Sequence, residues 1–204
     1  LNPRPQQKIA AALILRGKTS EAASLLEEIV RAHPEQVEAA SSLAVLRLRE
    51  EGQNVQQAAK LLDNAVAAQP DSVEARVARA QFYLLTRWNG DVAQKPPSER
   101  AASPAPEWYR RVREDLSVAE KADSVNLPTL LNVGRLLFQI GEPERAKSQF
   151  ERAEKMEPAD PAVYLAIGPL ALDMGDIAWG ASVVERGLKA PLGDRRVDLL
   201  PIAV

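Results

Sequence analysis

Residues 127–158, LPTLLNVGRLLFQIGEPERAKSQFERAEKMEP, read as two short helices broken at Gly141. The first carries Leu130, Val133, Gly134 and Leu137; the second carries Ala146, Phe150 and Ala153, and Pro158 follows it. Ala146, Phe150 and Ala153 recur at i, i+4 and i+7, which is one face of a helix. The opposite face holds Glu144, Arg145, Lys147, Glu151, Arg152, Glu154 and Lys155. Small residues at Gly134 and Ala153 permit the two helices to approach closely; a large side chain at either place would force them apart. Gly141 can take the left-handed conformation that ends a helix. Pro143 then fits the first turn of the next, where its missing N–H costs nothing.

The rest of the chain varies this unit. The second-helix pattern recurs as Ala22, Leu26, Ile29 and Pro34, with Ile29 in place of a small residue; as Ala58, Leu62, Ala65 and Pro70; and as Gly180, Val184, Gly187 and Pro191, with the proline one place early. Val112, Leu116 and Ala119 follow it too, with Ser124 where proline would stand. The first-helix pattern holds loosely at Tyr164, Ile167, Gly168 and Ala171, and its centre survives at Leu43-Ala44 and Ile9-Ala10. In the third unit only Ala80 and Tyr83 remain, and Arg79 takes an apolar place. Ala146 and Gly180 are 34 residues apart. Ala22 and Ala58 are 36 apart, the surplus falling in the loop 51–54. Helix starts are expected at Thr19 or Ser20, at Asp71 paired with Glu74, at Asp160-Pro161 and at Asp176.

This pattern resembles the tetratricopeptide repeat family. The resemblance implies an all-α, right-handed solenoid of antiparallel helix pairs, with first helices lining a concave groove and second helices forming the back. Five repeats are expected at about 3–36, 37–72, 73–126, 127–160 and 161–191, in a single array. The third departs most: 20 extra residues separate its helices, roughly over the Pro-rich stretch 88–105. Pro96, Pro97, Pro104 and Pro106 forbid a continuous helix there, so the stretch reads as a loop. A further, truncated helix is expected at 194–204, and the chain reads as a segment of a longer one.

Composition narrows function by exclusion. The 26 basic and 28 acidic residues nearly balance, so no long-range attraction draws the chain to nucleic acid or anionic membrane. The absence of cysteine removes disulfides, thiolate-bound zinc and thiol catalysis. At 4% aromatic, the chain is not expected to build a large aromatic-lined pocket. No apolar run approaches membrane-span length. His33 stands alone before Pro34 and reads as a helix-end residue, since histidine metal sites need partners. No phosphate loop, dinucleotide fingerprint or catalytic triad is present in pattern. Arg110, Arg111 and Arg113 are followed at once by Glu114 and Asp115, which marks a solvated helix face. Trp88, Trp108 and Tyr109 flank the insertion and are expected to anchor its ends; Trp179 reads as a packing residue.

The resemblance places binding in the groove. Projecting the helix pattern, Ser42, Arg49, Glu74, Gln81, Leu131, Asn132, Arg135, Phe138 and Gln139 point inward, with Val45, Leu85, Leu165 and Asp173 beside them. Mixed apolar and polar groups suit an extended peptide or a partner helix. The family's clamp for a terminal carboxylate uses Lys, Asn and Arg, whereas Gln7, Ala11, Ser42, Glu74 and Ala78 stand at the equivalent places, so that subtype is not expected. Asn132 and Arg135 could still hold one carboxylate. The expected function is therefore a non-catalytic protein-binding scaffold without cofactor or metal, whose partner is a protein or peptide rather than nucleic acid or bilayer. A substrate-recruiting arm of a larger enzyme and a spacer or self-association module are the alternatives.

Overall fold

Gly17, Gly141 and Gly175 have φ of 74°, 86° and 72°, and each ends the first helix of a pair. At Gly141 the chain closes with Gly141 N donating to Phe138 O and Glu142 N to Leu137 O, both at 2.9 Å. These bonds satisfy carbonyls that the helix end leaves without donors. Gly17 repeats the arrangement, with Lys18 N donating to Leu13 O at 2.9 Å. Turns this short bring consecutive helices back as antiparallel neighbours.

The structure is a computed structural model and describes residues 4–49, 55–87, 106–123, 125–173 and 175–190. Among them it forms α1 (Arg4–Leu15), α2 (Thr19–Ala32), α3 (Val37–Arg49), α4 (Val55–Ala68), α5 (Val73–Arg87), α6 (Glu107–Lys121), α7 (Leu127–Gln139), α8 (Pro143–Met156), α9 (Pro161–Asp173) and α10 (Ile177–Lys189). The insertion 88–105 with Trp88, the loop 51–54, the side chain of Asp173 and the segment 194–204 lie outside the described residues.

The chain divides into two compact units. The first holds α1–α5 and α6 as far as Ala119; the second begins at Glu120 and holds α7–α10. In the first unit α1 packs on α2, α2 on α3, α3 on α4, α4 on α5, and α3 also touches α5. Its apolar residues form separate clusters. One joins Ala10, Ala22, Leu26, Ile29 and Leu43, and the next joins Ala44, Ala58, Leu62, Ala65 and Phe82. Alanines supply much of this contact, because small side chains let helix backbones come close. α5 and α6 lack the close backbone approach that joins the other pairs.

In the second unit α7 packs on α8 and α9 on α10, with α8 and α7 both touching α9. Phe150 of α8 is fully buried. Its ring lies against Gly134 of α7 on one side and stacks on Trp179 of α10 on the other, at 6.1 Å between centroids and 28° between planes. Gly134 is therefore glycine for a packing reason: a Cβ there would sit 2.5 Å from a ring carbon. Trp179 is the packing residue its position implies.

Two helix starts differ from expectation. α2 begins at Thr19 itself, so Lys18 is the flanking residue, and no side chain caps the end. α5 begins at Val73, and Ser72 Oγ, not Asp71, accepts the Ala75 N–H at 3.2 Å. Asp71 lies one residue too early to reach that amide. The expected starts at Asp176 and Pro161 hold: Asp176 accepts from Trp179 N at 3.0 Å, and α9 starts on the proline. Pro143 occupies the first turn of α8.

Candidate protein-binding faces

The first-helix face of the second unit is built by α7 and α9. Leu136, Leu137 and Val133 turn into the core, which leaves Leu131, Asn132, Phe138 and Gln139 half-buried and Arg135 exposed. Arg135 Nη2 donates to Asn132 Oδ1 at 3.0 Å, one turn earlier on α7. On α9, Leu165 and Pro169 are exposed beside them. Of the residues that the sequence pattern places in this face, the structure brings Asn132 and Arg135 into direct contact.

In the first unit the corresponding face belongs to α1, α3 and α5. Ser42 is half-buried and lines a cleft of about 30 Å³ with Gln7, Ala11, Ile14 and Glu38, room for about one water. Glu74 lines a wider groove of about 490 Å³ with Arg4, Gln7, Lys8, Glu35, Glu38 and Gln69. Gln7 Nε2 donates to Gln36 Oε1 across it at 3.0 Å. The charges there are mixed. Glu35 is held below the ordinary glutamate range by a backbone hydrogen bond, against the opposing effect of desolvation, with help from His33. Arg49 and Gln81 are exposed, as are Val45 and, most openly, Leu85.

The second-helix side of the second unit carries several internal pairs. Arg186 Nε and Nη2 hold Glu154 at 2.6 and 3.0 Å. Lys147 lies 5.1 Å from the Trp179 ring centroid and 3.3 Å from Asp176. Arg152 donates to the carbonyls of Glu120 and Ala122 at 2.7 and 3.0 Å, so it closes the C-terminal end of α6. Arg145 pairs with Glu120 as well. A groove of about 620 Å³ between α8 and α10 is lined by Glu151, Glu154, Lys155, Trp179, Ser182 and Arg186. Its Glu154 and Arg186 satisfy each other.

One polar cluster was not foreseen. Asp115 of α6 is fully buried, not part of a solvated face. Its carboxylate receives Arg76 Nη1 at 2.9 Å and both Nε and Nη2 of Arg79 at 2.8 Å. Arg79 Nη1 also reaches Asp63 of α4 at 3.0 Å, and Arg111 joins Asp63 at 3.4 Å. Burial disfavours the charged form of Arg79, but the hydrogen bonds and charges of Asp115 and Asp63 outweigh it and raise its pKa. Burial and the charge of Asp63 raise Tyr83, with Arg111 and Arg79 opposing. Long arginines thus span α5 and α6, where the other pairs meet through small residues. Of the basic run, Arg110 and Arg113 remain exposed while Arg111 is drawn into the cluster.

Tyr109 is buried and meets Trp108 edge-on at 5.7 Å. His33 ends α2 and contacts Glu35 through Nδ1 at 3.1 Å. Among the described residues no three His, Cys, Asp or Glu side chains are grouped to hold a metal ion. None of the described helices is long and apolar enough to cross a membrane.

Helix hairpins stacked through local clusters define an all-α helical-repeat solenoid, a class built for presenting surface to other proteins. The tetratricopeptide repeat profile matches residues 46–93 and 131–190, just over half of the 204 residues, and the chain belongs to that family. A thermophilic tetratricopeptide repeat protein of Thermus thermophilus, TTC0263, is similar in structure at TM-score 0.60 and 21% identity, covering 98% of this chain and 97% of that one. The pilF protein of Pseudomonas aeruginosa is similar at TM-score 0.60 and 16% identity, over 98% of this chain and 86% of its own. MamA follows at TM-score 0.58 and 15% identity, over 96% and 93%. These likenesses concern the fold. No curated protein matches the chain in sequence.

Proposed function

We propose that this protein is a non-catalytic scaffold that holds a peptide or a segment of a partner protein against its first-helix faces. The array would comprise the five repeats 3–36, 37–72, 73–126, 127–160 and 161–191. On the first unit the contact residues are Ser42, Arg49, Glu74 and Gln81; on the second they are Leu131, Asn132, Arg135, Phe138 and Gln139. The observation that carries the reading is the exposed face of α7 and α9. It presents Leu165, Pro169 and the half-buried Leu131 and Phe138 to solvent, whereas the second helix α8 is densely charged and pairs part of that charge with its neighbours. A face with apolar groups exposed suits a partner.

A random-peptide display selection on the full chain tests this. Enriched peptides, labelled and followed by fluorescence anisotropy, should lose about tenfold or more in affinity with Leu131→Glu or Leu165→Glu. Lys155→Glu on α8 should leave affinity unchanged. Peptides that respond to Lys155→Glu and ignore α7 and α9 would refute the reading.

A further inference from the structure

This inference rests on the binding-face reading above and names the partner's chemistry at the second unit. In α7, LPTLLNVGRLLFQ, Arg135 is the sole charged residue, and in α9, PAVYLAIGPLALD, charge is confined to Asp173 at the end. The paired helix α8, PERAKSQFERAEKM, is densely charged. α9 is apolar on nearly all sides, and such helices are normally buried on all sides, whereas α7 carries the polar stripe Thr129, Asn132, Arg135 and Gln139 on its open side. Yet Leu165 and Pro169 are exposed and Leu131 and Phe138 only half-buried. The face therefore sets apolar groups beside a polar stripe in which Arg135 is the one charge among the described side chains.

That cation is held in place. Arg135 is exposed, and its Nη2 is tied to the neutral Asn132 Oδ1 at 3.0 Å. Among the described residues no carboxylate pairs with it, whereas Arg145, Lys147 and Arg186 of the same unit each have one. The bond to Asn132 orients the guanidinium and leaves its remaining N–H groups for a planar two-oxygen acceptor. Pro169 lies in the register of Arg135, 34 residues on. Having no N–H, it cannot make the helical bond to the Leu165 carbonyl.

We infer that this face recognises a protein segment in which one aspartate or glutamate is flanked by apolar side chains. The carboxylate seats on Arg135, oriented by Asn132, and the flanking groups cover Leu131, Phe138 and Leu165. A lone guanidinium among apolar groups matches one negative charge, and more acidic segments would leave charges desolvated without partners.

The test uses the full chain and peptides from the display selection. Those whose binding depends on Leu165 should share one acidic position between apolar residues. Arg135→Ala should weaken them about tenfold or more, and Arg135→Lys should recover only part, because the fork is lost. Affinity should fall with added salt. Arg135→Glu should bind the same peptide with its acid changed to lysine better than the parent peptide. Arg135 is exposed, so an unchanged thermal melt of Arg135→Ala keeps the comparison one of binding. Peptides that require Leu165 but ignore Arg135 would overturn this inference and leave the binding face standing. Absence of any Leu165-dependent peptide would overturn both. Self-association in sedimentation that Leu165→Glu abolishes would put a second copy on the face and overturn the acidic-segment assignment.

Discussion

Replacing Gly134 by alanine probes the most tightly specified contact in the fold. The added Cβ would lie 2.5, 2.8 and 2.9 Å from three carbons of the Phe150 ring, where ordinary contact begins near 3.4 Å. The ring must retreat by about 1 Å, yet it is fully buried and backed by Trp179. Alanine is the better helix former by up to ~1 kcal/mol. Overpacking a closed core costs about 1–3 kcal/mol, and with no room for retreat the upper part of that range applies. The net expectation is a loss of about 1–2 kcal/mol, and several kcal/mol for Gly134→Leu. Urea unfolding followed by circular dichroism measures it. Phe150→Leu in the Gly134→Ala background should return part of the loss, because the two changes share one space. A Gly134→Ala protein as stable as the parent, or more so, would mean that the ring does not lie on Gly134 and that the α7–α8 packing is misdescribed.

Other perturbations follow from the same geometry. Asp115→Ala leaves Arg76 without its near anion and Arg79 with Asp63 alone, and should cost about 3 kcal/mol in chemical denaturation. Asp115→Ala combined with Arg79→Leu should cost less than the single change plus Arg79→Leu alone. Asp176 is held below the usual aspartate range, first by the Trp179 N–H, against the opposing effect of desolvation and with help from Lys147. Its folded-state pKa is depressed, so its contribution is complete above the unfolded-state value near about 4 and is lost as pH falls through the lowered one. Asp176→Asn should flatten that acid limb in pH-dependent melts. Tyr83, raised by burial and by Asp63, contributes the opposite sense. Its stabilisation is whole below about pH 10 and fades as pH rises toward the raised value; Tyr83→Phe should remove that alkaline loss. Pro169→Ala restores a helical N–H at an exposed site and should stabilise by about 1–3 kcal/mol while weakening peptide binding.

The helix pairs were legible because each is specified locally. Gly141, Pro143 and the Ala146–Phe150–Ala153 face are short-range signals, and the structure uses each as the spacing implies. Caps were less legible, since a one-residue difference decides whether Ser72 or Asp71 reaches an amide. The Asp115 cluster was missed because its members stand 36 and 39 residues apart and sit in charge-rich text. A signal was nonetheless present. The register of Asp115 is held by Leu25, Leu61, Gln149 and Val183 in the other units. Arg79 likewise stands on an apolar register. Opposite charges on two apolar registers of one repeat mark a buried pair. The binding face is the reverse case: Asn132 and Arg135 were visible as a local pair, but only the structure distinguishes an exposed apolar face from a buried one.

The account turns on which side of the second unit meets a partner. Hydrogen–deuterium exchange of the full chain, with and without a saturating display-selected peptide, reads this directly. The expected result is slowed exchange in α7 and α9, over 127–139 and 161–173, with α8 and α10 unchanged. Protection confined to 143–156 and 177–189 would place the partner on the second helices and contradict the assignment of the binding face.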